Sequence, residues 1–142
     1  MTIQVNEIMN TNLFTLNPEA SIAEAKKLMA AHPIRHIPIV DAQNRLLGVV
    51  SQRDVLSHGA MQSNDRDQAN IATIMTDHPY SISPKTGVIQ AARLLKRERF
   101  GCLPVVEQDI LVGMVTGSDF VEVAIQLMTI AEETTPDPID DL

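Results

Sequence analysis

The sequence predicts a mixed α/β (α+β) chain in which one unit is used twice, and three observations carry that expectation. A pattern over residues 8–54 returns over residues 74–119. The copies agree in residue type: Ile8-Met9 answers Ile74-Met75, Pro18 answers Pro84, Ala25 answers Ala91, and Pro38 with Val40 answers Pro104 with Val106. They also agree in spacing. The offset is 66 residues through that stretch and 65 at Gly48/Gly113 and Asp54/Asp119, so the second copy lacks one residue in a turn. A repeat of this kind is read before any single element, because it decides what the unit of folding is.

Within the first copy the elements follow in order. Phe14-Thr15-Leu16 reads as a brief strand that Asn17-Pro18 ends. Ser21 and Glu24 have the spacing of a capping box, and Ile22, Ala25, Leu28 and Met29 then recur at helical spacing until Pro33 stops the helix. Ile37-Pro38-Ile39-Val40 is a strand. Asp41-Ala42-Gln43-Asn44-Arg45 supplies turn residues, and Leu46-Leu47-Gly48-Val49-Val50 returns antiparallel. A further helix starts around Arg53-Asp54. In the second copy Tyr80-Ser81-Ile82 ends at Ser83-Pro84. Thr86 is expected to cap a helix bearing Val88, Ala91, Ala92 and Leu95. Leu103-Pro104-Val105-Val106 and the run from Ile110 to Val115 form the second hairpin. The domains expected are a first repeat over residues 5–60, a polar linker over 61–70, a second repeat over 71–131 and an acidic, disordered tail over 132–142.

Composition bounds the rest. Two halves of about 65 residues are each marginal alone, so the copies are expected to share one core. With 3% aromatic residues and no Trp, that core must be built from Ala, Ile, Val, Leu and Met. A net charge of −7 argues against a nucleic-acid or anionic-membrane surface, since both need a basic patch. The charge also means that a small anion must be held by local dipoles and a few placed cations. No apolar run approaches about 18 residues, and Met1-Thr2-Ile3-Gln4 does not resemble a secretory leader, so a cytoplasmic protein is the plain expectation. The single Cys102 excludes an internal disulfide. Set in an apolar strand, it reads as an inert thiol. His32, His58 and His78 lack metal-ligand spacing, and the methionines read as core filler.

The helix containing Phe120, Val121, Val123, Ala124, Ile125, Leu127, Met128, Ile130 and Ala131 is apolar around nearly its whole circumference. A helix of a small monomer needs one apolar stripe, so a partner subunit is expected to cover the remainder.

The residues suited to chemistry fall at one place in each copy. Gly48-Val49-Val50-Ser51-Gln52-Arg53-Asp54 and Gly113-Met114-Val115-Thr116-Gly117-Ser118-Asp119 share a glycine, two apolar residues, a hydroxyl, two variable residues and an aspartate. A hydroxyl at the end of a strand lies beside the free amides of the next helix, where an anion is stabilised. An aspartate three residues on can accept two hydrogen bonds from a cis-diol. Arg53 adds a charged donor that Ser118 does not. The same spacing is also a helix-start signature, so Ser51/Asp54 and Thr116/Asp119 read equally well as caps with no ligand. Gly48 and Gly113 read equally well as relief of crowding in a strand.

Taken together, the early Ile-Met, the aromatic before Pro, the central (Ile/Leu)-Pro-(Ile/Val)-Val and the final Gly-x-Val-(Ser/Thr)-x-x-Asp resemble a tandem pair of cystathionine β-synthase (CBS) domains, a Bateman module. Residues 34–40 and 50–56 are similar to stand-alone bacterial pairs of the acetoin-utilisation type. The resemblance covers about residues 5–131. It implies two β-α-β-β-α repeats packed about a pseudo-twofold axis, a homodimer, and clefts between the repeats that bind AMP, ADP, ATP, S-adenosylmethionine or related adenosine ligands. Such a ligand is regulatory and no cofactor is required. By the resemblance Asp54 and Asp119 take ribose hydroxyls, Ser51 and Thr116 face ribose or phosphate, and backbone near Leu16, Ile37, Ile82 and Leu103 frames the adenine. This chain departs from symmetry at two places: Arg35-His36 stands opposite Gly101-Cys102, and Arg53 opposite Ser118. Unequal anion affinity in the two clefts follows. His36 reads as a hairpin-edge histidine or as a phosphate contact.

Three functions are compatible with these residues. The first is a regulatory sensor that is not an enzyme and passes its state to an unidentified regulated protein. The second is a ligand-free dimerisation scaffold. The third, a nucleotide hydrolase or transferase, would need an activated nucleophile or a carboxylate metal cluster that the sequence does not display.

Overall fold

A computed structural model describes residues 2–59 and 67–134. The first copy contributes α1 (Ile22–Ala31), the hairpin β1 (His36–Val40) and β2 (Leu46–Ser51), and α2 (Gln52–Gly59). The second contributes the short β3 (Thr76–Asp77), α3 (Val88–Glu98), the hairpin β4 (Cys102–Glu107) and β5 (Ile110–Thr116), and α4 (Gly117–Thr134). β1 and β2 pair antiparallel, β3 joins them along β2, and β4 and β5 form a second antiparallel sheet.

Local chemistry accounts for the elements. The Glu24 amide donates to Ser21 Oγ at 3.1 Å and the Ser21 amide to Glu24 Oε2 at 2.9 Å, closing the expected capping box. The helix ends at His32, which is extended (φ −135°, ψ 151°) as a residue before proline must be. The residue missing from the second copy lies in its hairpin turn. There four residues separate the paired Val106 and Leu111, with Gln108 (φ 52°) and Asp109 (φ 68°) both at positive φ, whereas the first copy has five between Val40 and Leu46 and one such angle, at Asn44.

Five expectations are corrected. The segments at Phe14 and Tyr80 are not strands but single parallel bridges, Leu16 to Ile39 and Ile82 to Val105. The Pro two residues after each bridge has no amide with which to continue a ladder. Thr86 is not the cap of α3: Gly87 is, without a side-chain bond. The Thr86 carbonyl instead accepts the Val5 amide at 2.7 Å, and the Val88 amide donates to Ile3 at 2.8 Å. Residues 67–70 belong to the packed body, since Asp67 pairs with Lys26 at 2.8 Å and the Ala69 carbonyl accepts the Ile22 amide at 3.0 Å. The remainder of the linker falls largely outside the described residues. Residues 132–134 continue α4 rather than starting a tail, and 135–142 lie outside the described residues.

The fifth correction concerns the core. There are two apolar clusters, and each is completed by the other copy. Ile22, Ala25, Ile37, Ile39 and Val50 pack around Ile71, with Ile74 and Met75 against them. Ala91, Leu94, Leu103, Val105 and Val115 pack around Val5, with Ile8 and Met9 against them. The segment before each copy has crossed to the other sheet. Asn10 bridges Met114 as Thr76 pairs with Val49, and Gln4 bridges Gly87 as Asn70 bridges Ser21. Gly113 receives Met9 and Gly48 receives Met75. At the far end the hairpin tips meet, with Arg45 bridged to Ile110 and the Asn44 side-chain amide donating to the Leu111 carbonyl at 3.0 Å. Burial that two half-length units could not reach singly is obtained by interlocking them.

Candidate functional site

In each copy the second hairpin strand passes into its helix with no intervening loop, which puts the hydroxyl and the aspartate of the repeated motif at one turn. In the first copy the Ser51 amide donates to Asp54 Oδ2 at 2.9 Å and the Asp54 amide to Ser51 Oγ at 3.0 Å. In the second, Asp119 Oδ2 accepts the Thr116 amide at 2.7 Å and the Thr116 hydroxyl at 3.1 Å. Both aspartates are therefore helix caps. Each uses Oδ2 for that purpose, and among the described residues Oδ1 has no protein partner in either.

A cavity of about 790 Å³ opens between the copies. Thr116, Gly117, Ser118 and Asp119 form its second-copy wall, while Phe14, Ile34, Arg35, His36 and Pro38 form the first-copy wall. Arg35 and His36 thus line a cavity with the motif of the other repeat while staying against their own: the Gln52 amide donates to the Arg35 carbonyl at 2.7 Å and His36 pairs with Ser51. Ser51, Arg53 and Asp54 lie at the head of α2, outside this cavity, and Gln52 from that turn reaches its lining. Ile37 and Leu103 are fully buried, backbone included, Leu16 and Ile82 are held in their single bridges, and none of the four lines this cavity.

Some of the lining was not singled out in the sequence. The Phe14 and His32 rings stack at 4.0 Å with 24° between their planes, and both line the cavity with Ile34. The available signal was the repeated aromatic position, since Tyr80 stands where Phe14 does and packs on Phe100 at 5.8 Å. Gly101 is needed for a different reason: a Cβ there would stand 2.5 Å from His36 Nε2, so the histidine ring occupies that space. Burial lowers the His36 pKa. Asp54 opposes that shift and Arg35 adds to it. Among the described residues no cluster of three or more His, Cys, Asp or Glu is placed to hold a metal ion.

Burial pushes the Cys102 thiol up to about 12. Because the thiolate is the reactive form, native protein at mildly alkaline pH should alkylate about a thousandfold more slowly than an unperturbed cysteine, and at the ordinary rate once denatured. Mass-spectrometric labelling checks this, and fast stoichiometric labelling of the native chain would refute it.

An interlocked pair of repeats enclosing a mixed polar and apolar cleft defines a duplicated α/β module. The chain belongs to the CBS domain family, whose model matches residues 5–60 and 71–126. It is similar to the solved structure of a Vibrio cholerae protein assigned to acetoin utilization (AcuB), at 40% identity over 96% of this chain and 100% of that one, with a TM-score of 0.85. It is also similar to CBSX2 of Arabidopsis thaliana, solved in complex with AMP, at 27% identity over 88% of this chain and 98% of that one, TM-score 0.80. A third likeness is to the CBS domain pair of protein MJ0100, solved with 5-methylthioadenosine and S-adenosyl-L-methionine, at 26% identity over 87% and 97%, TM-score 0.78. No helix among the described residues is long and apolar enough to cross a membrane.

Proposed function

We propose that this chain is a regulatory sensor that binds an adenosine-containing ligand in the cleft between its repeats and works as a homodimer read by another protein. One observation carries the proposal most directly. Asp119, with one carboxylate oxygen free of protein partners, lies across a cavity from an apolar wall of Phe14, Ile34 and Pro38. The carboxylate suits a sugar diol and the wall suits a purine face. The AMP and S-adenosyl-L-methionine complexes of similar proteins support the same reading. The ligand is expected to shift the geometry of the two repeats and to leave unchanged itself.

A ligand-free scaffold is the second reading. It is favoured by the fact that both aspartates already close helix caps. Thermal unfolding with AMP, ADP, ATP and S-adenosylmethionine separates the two. A ligand at a hundred times its dissociation constant adds about 2.7 kcal/mol, which at this size raises Tm by roughly 8–10 °C. The informative variant is Asp119→Asn, because the single amide oxygen can still accept the Thr116 amide while the second anionic acceptor is lost. It should keep the unliganded Tm within a few degrees and lose the ligand shift. Melting indifferent to the whole panel would establish the scaffold. Phosphate release from nucleotide and magnesium, lost in the same variant, would overturn the non-catalytic reading.

A further inference from the structure

The cavity is not electrically symmetric. The symmetry mate of Arg35 is Gly101, and that of His36 is Cys102. The two positions touch, since a Cβ at 101 would stand 2.5 Å from His36 Nε2 and the ring would have to shift to admit it. A cation on the first-copy wall and a bare backbone on the second are thus two sides of one packing arrangement. Among the described residues Arg35 makes no ion pair, and neither does Asp119. Burial disfavours a charge on His36, which leaves Arg35 as the full positive charge of that wall. The chain as a whole carries −7, so an anion finds its attraction here and not in the global field.

Resting on the adenosine-ligand reading, we infer that this cleft selects its ligand by the charge at the ribose 5′ position, taking a 5′-phosphate and refusing a sulfonium, with Arg35 as the specificity-determining residue. A guanidinium offers a phosphate two parallel donors. A neutral 5′-thioether gains nothing from it, and a sulfonium meets a like charge, which is discrimination by repulsion as well as attraction.

Calorimetric titration of the full chain with AMP, adenosine, 5′-methylthioadenosine and S-adenosylmethionine tests this. AMP should bind about ten- to a hundredfold more tightly than adenosine, its advantage should shrink as salt rises, and S-adenosylmethionine should bind more weakly than adenosine. Arg35→Met should bring AMP down to the level of adenosine while leaving adenosine unchanged, and Arg35→Lys should restore part of the difference. Equal affinity for AMP and adenosine, or S-adenosylmethionine as tight as AMP, overturns the charge selection alone. Equal weakening of both ligands by Arg35→Met shows a structural role and overturns it too. If none of the four binds, the adenosine reading falls and this inference with it.

Discussion

Gly48→Ala and Gly113→Ala are each expected to destabilise the fold by about 1–3 kcal/mol, a substantial part of the roughly 5–15 kcal/mol that holds a domain of this kind together. The damage should be repaired from the other copy. A Cβ at Gly113 would stand 2.5 Å from Met9 Sδ and 2.9 Å from its Cγ, with the Asn10 carbonyl at 3.2 Å. The close contacts are the far end of a flexible side chain, so Met9→Ala should couple strongly and favourably with Gly113→Ala. At Gly48 the Met75 Sδ would be at 2.6 Å, but the backbone carbonyl of Thr76 would be at 2.8 Å. That carbonyl belongs to β3, whose pairing fixes Gly48 against Asp77, so it cannot retreat without breaking the ladder. Met75→Ala should therefore repair Gly48→Ala only in part. Double-mutant cycles by chemical denaturation measure both couplings. Repair of Gly113→Ala by Met75→Ala, or no coupling in either cross pair, would mean that the arms are not exchanged.

That exchange marks where sequence reasoning stops. The constant offset made the repeat, both hairpins and the shortened turn legible, and Ser21 with Glu24 announced α1. A repeat, however, offers each segment two chemically equivalent berths. Ile8-Met9 suits the glycine of its own copy as well as that of the other, and no spacing rule distinguishes them. The same ambiguity affects the cleft. The Arg35 carbonyl holds the Gln52 amide of its own copy, yet the cavity that Arg35 lines also takes in Asp119 of the other. Thr86 had the chemistry of a cap, but the crossing arm supplied backbone partners that took its carbonyl into a bridge. What was legible was local or periodic, and what was missed depended on which of two symmetric alternatives the chain adopts. We propose that Ser51, Arg53 and Asp54 take ribose and phosphate as the resemblance implies, and Asp54→Asn in the same titrations should weaken adenosine binding if they do.

The other large effect is expected on α4. Its first turn is anchored by Phe120 against the second cluster, but every residue from 125 to 134 is exposed. A helical segment of that length is marginal in water by itself, and this one shows solvent an apolar stripe of Val121, Ile125 and Met128 at 60%, 53% and 64% exposure, flanked by Leu127 and Ile130. The symmetry-related α2 leaves Leu56 exposed as well. A second copy supplies the missing cover most economically, because a twofold axis places the same stripe against itself. Ile125→Glu or Met128→Glu would then bring two carboxylates together in an apolar contact. The cost of burying an unpaired charge weakens dimerisation by about two orders of magnitude or more. Sedimentation analysis should find a dimer for the native chain and a monomer for either variant, and circular dichroism should show helix lost from the unsupported end of α4. Val121→Glu, nearer the anchor, should act on the dimer with less loss of helix. A native chain that sediments as a monomer, or variants that stay dimeric, would require this stripe to be covered by something other than its own copy.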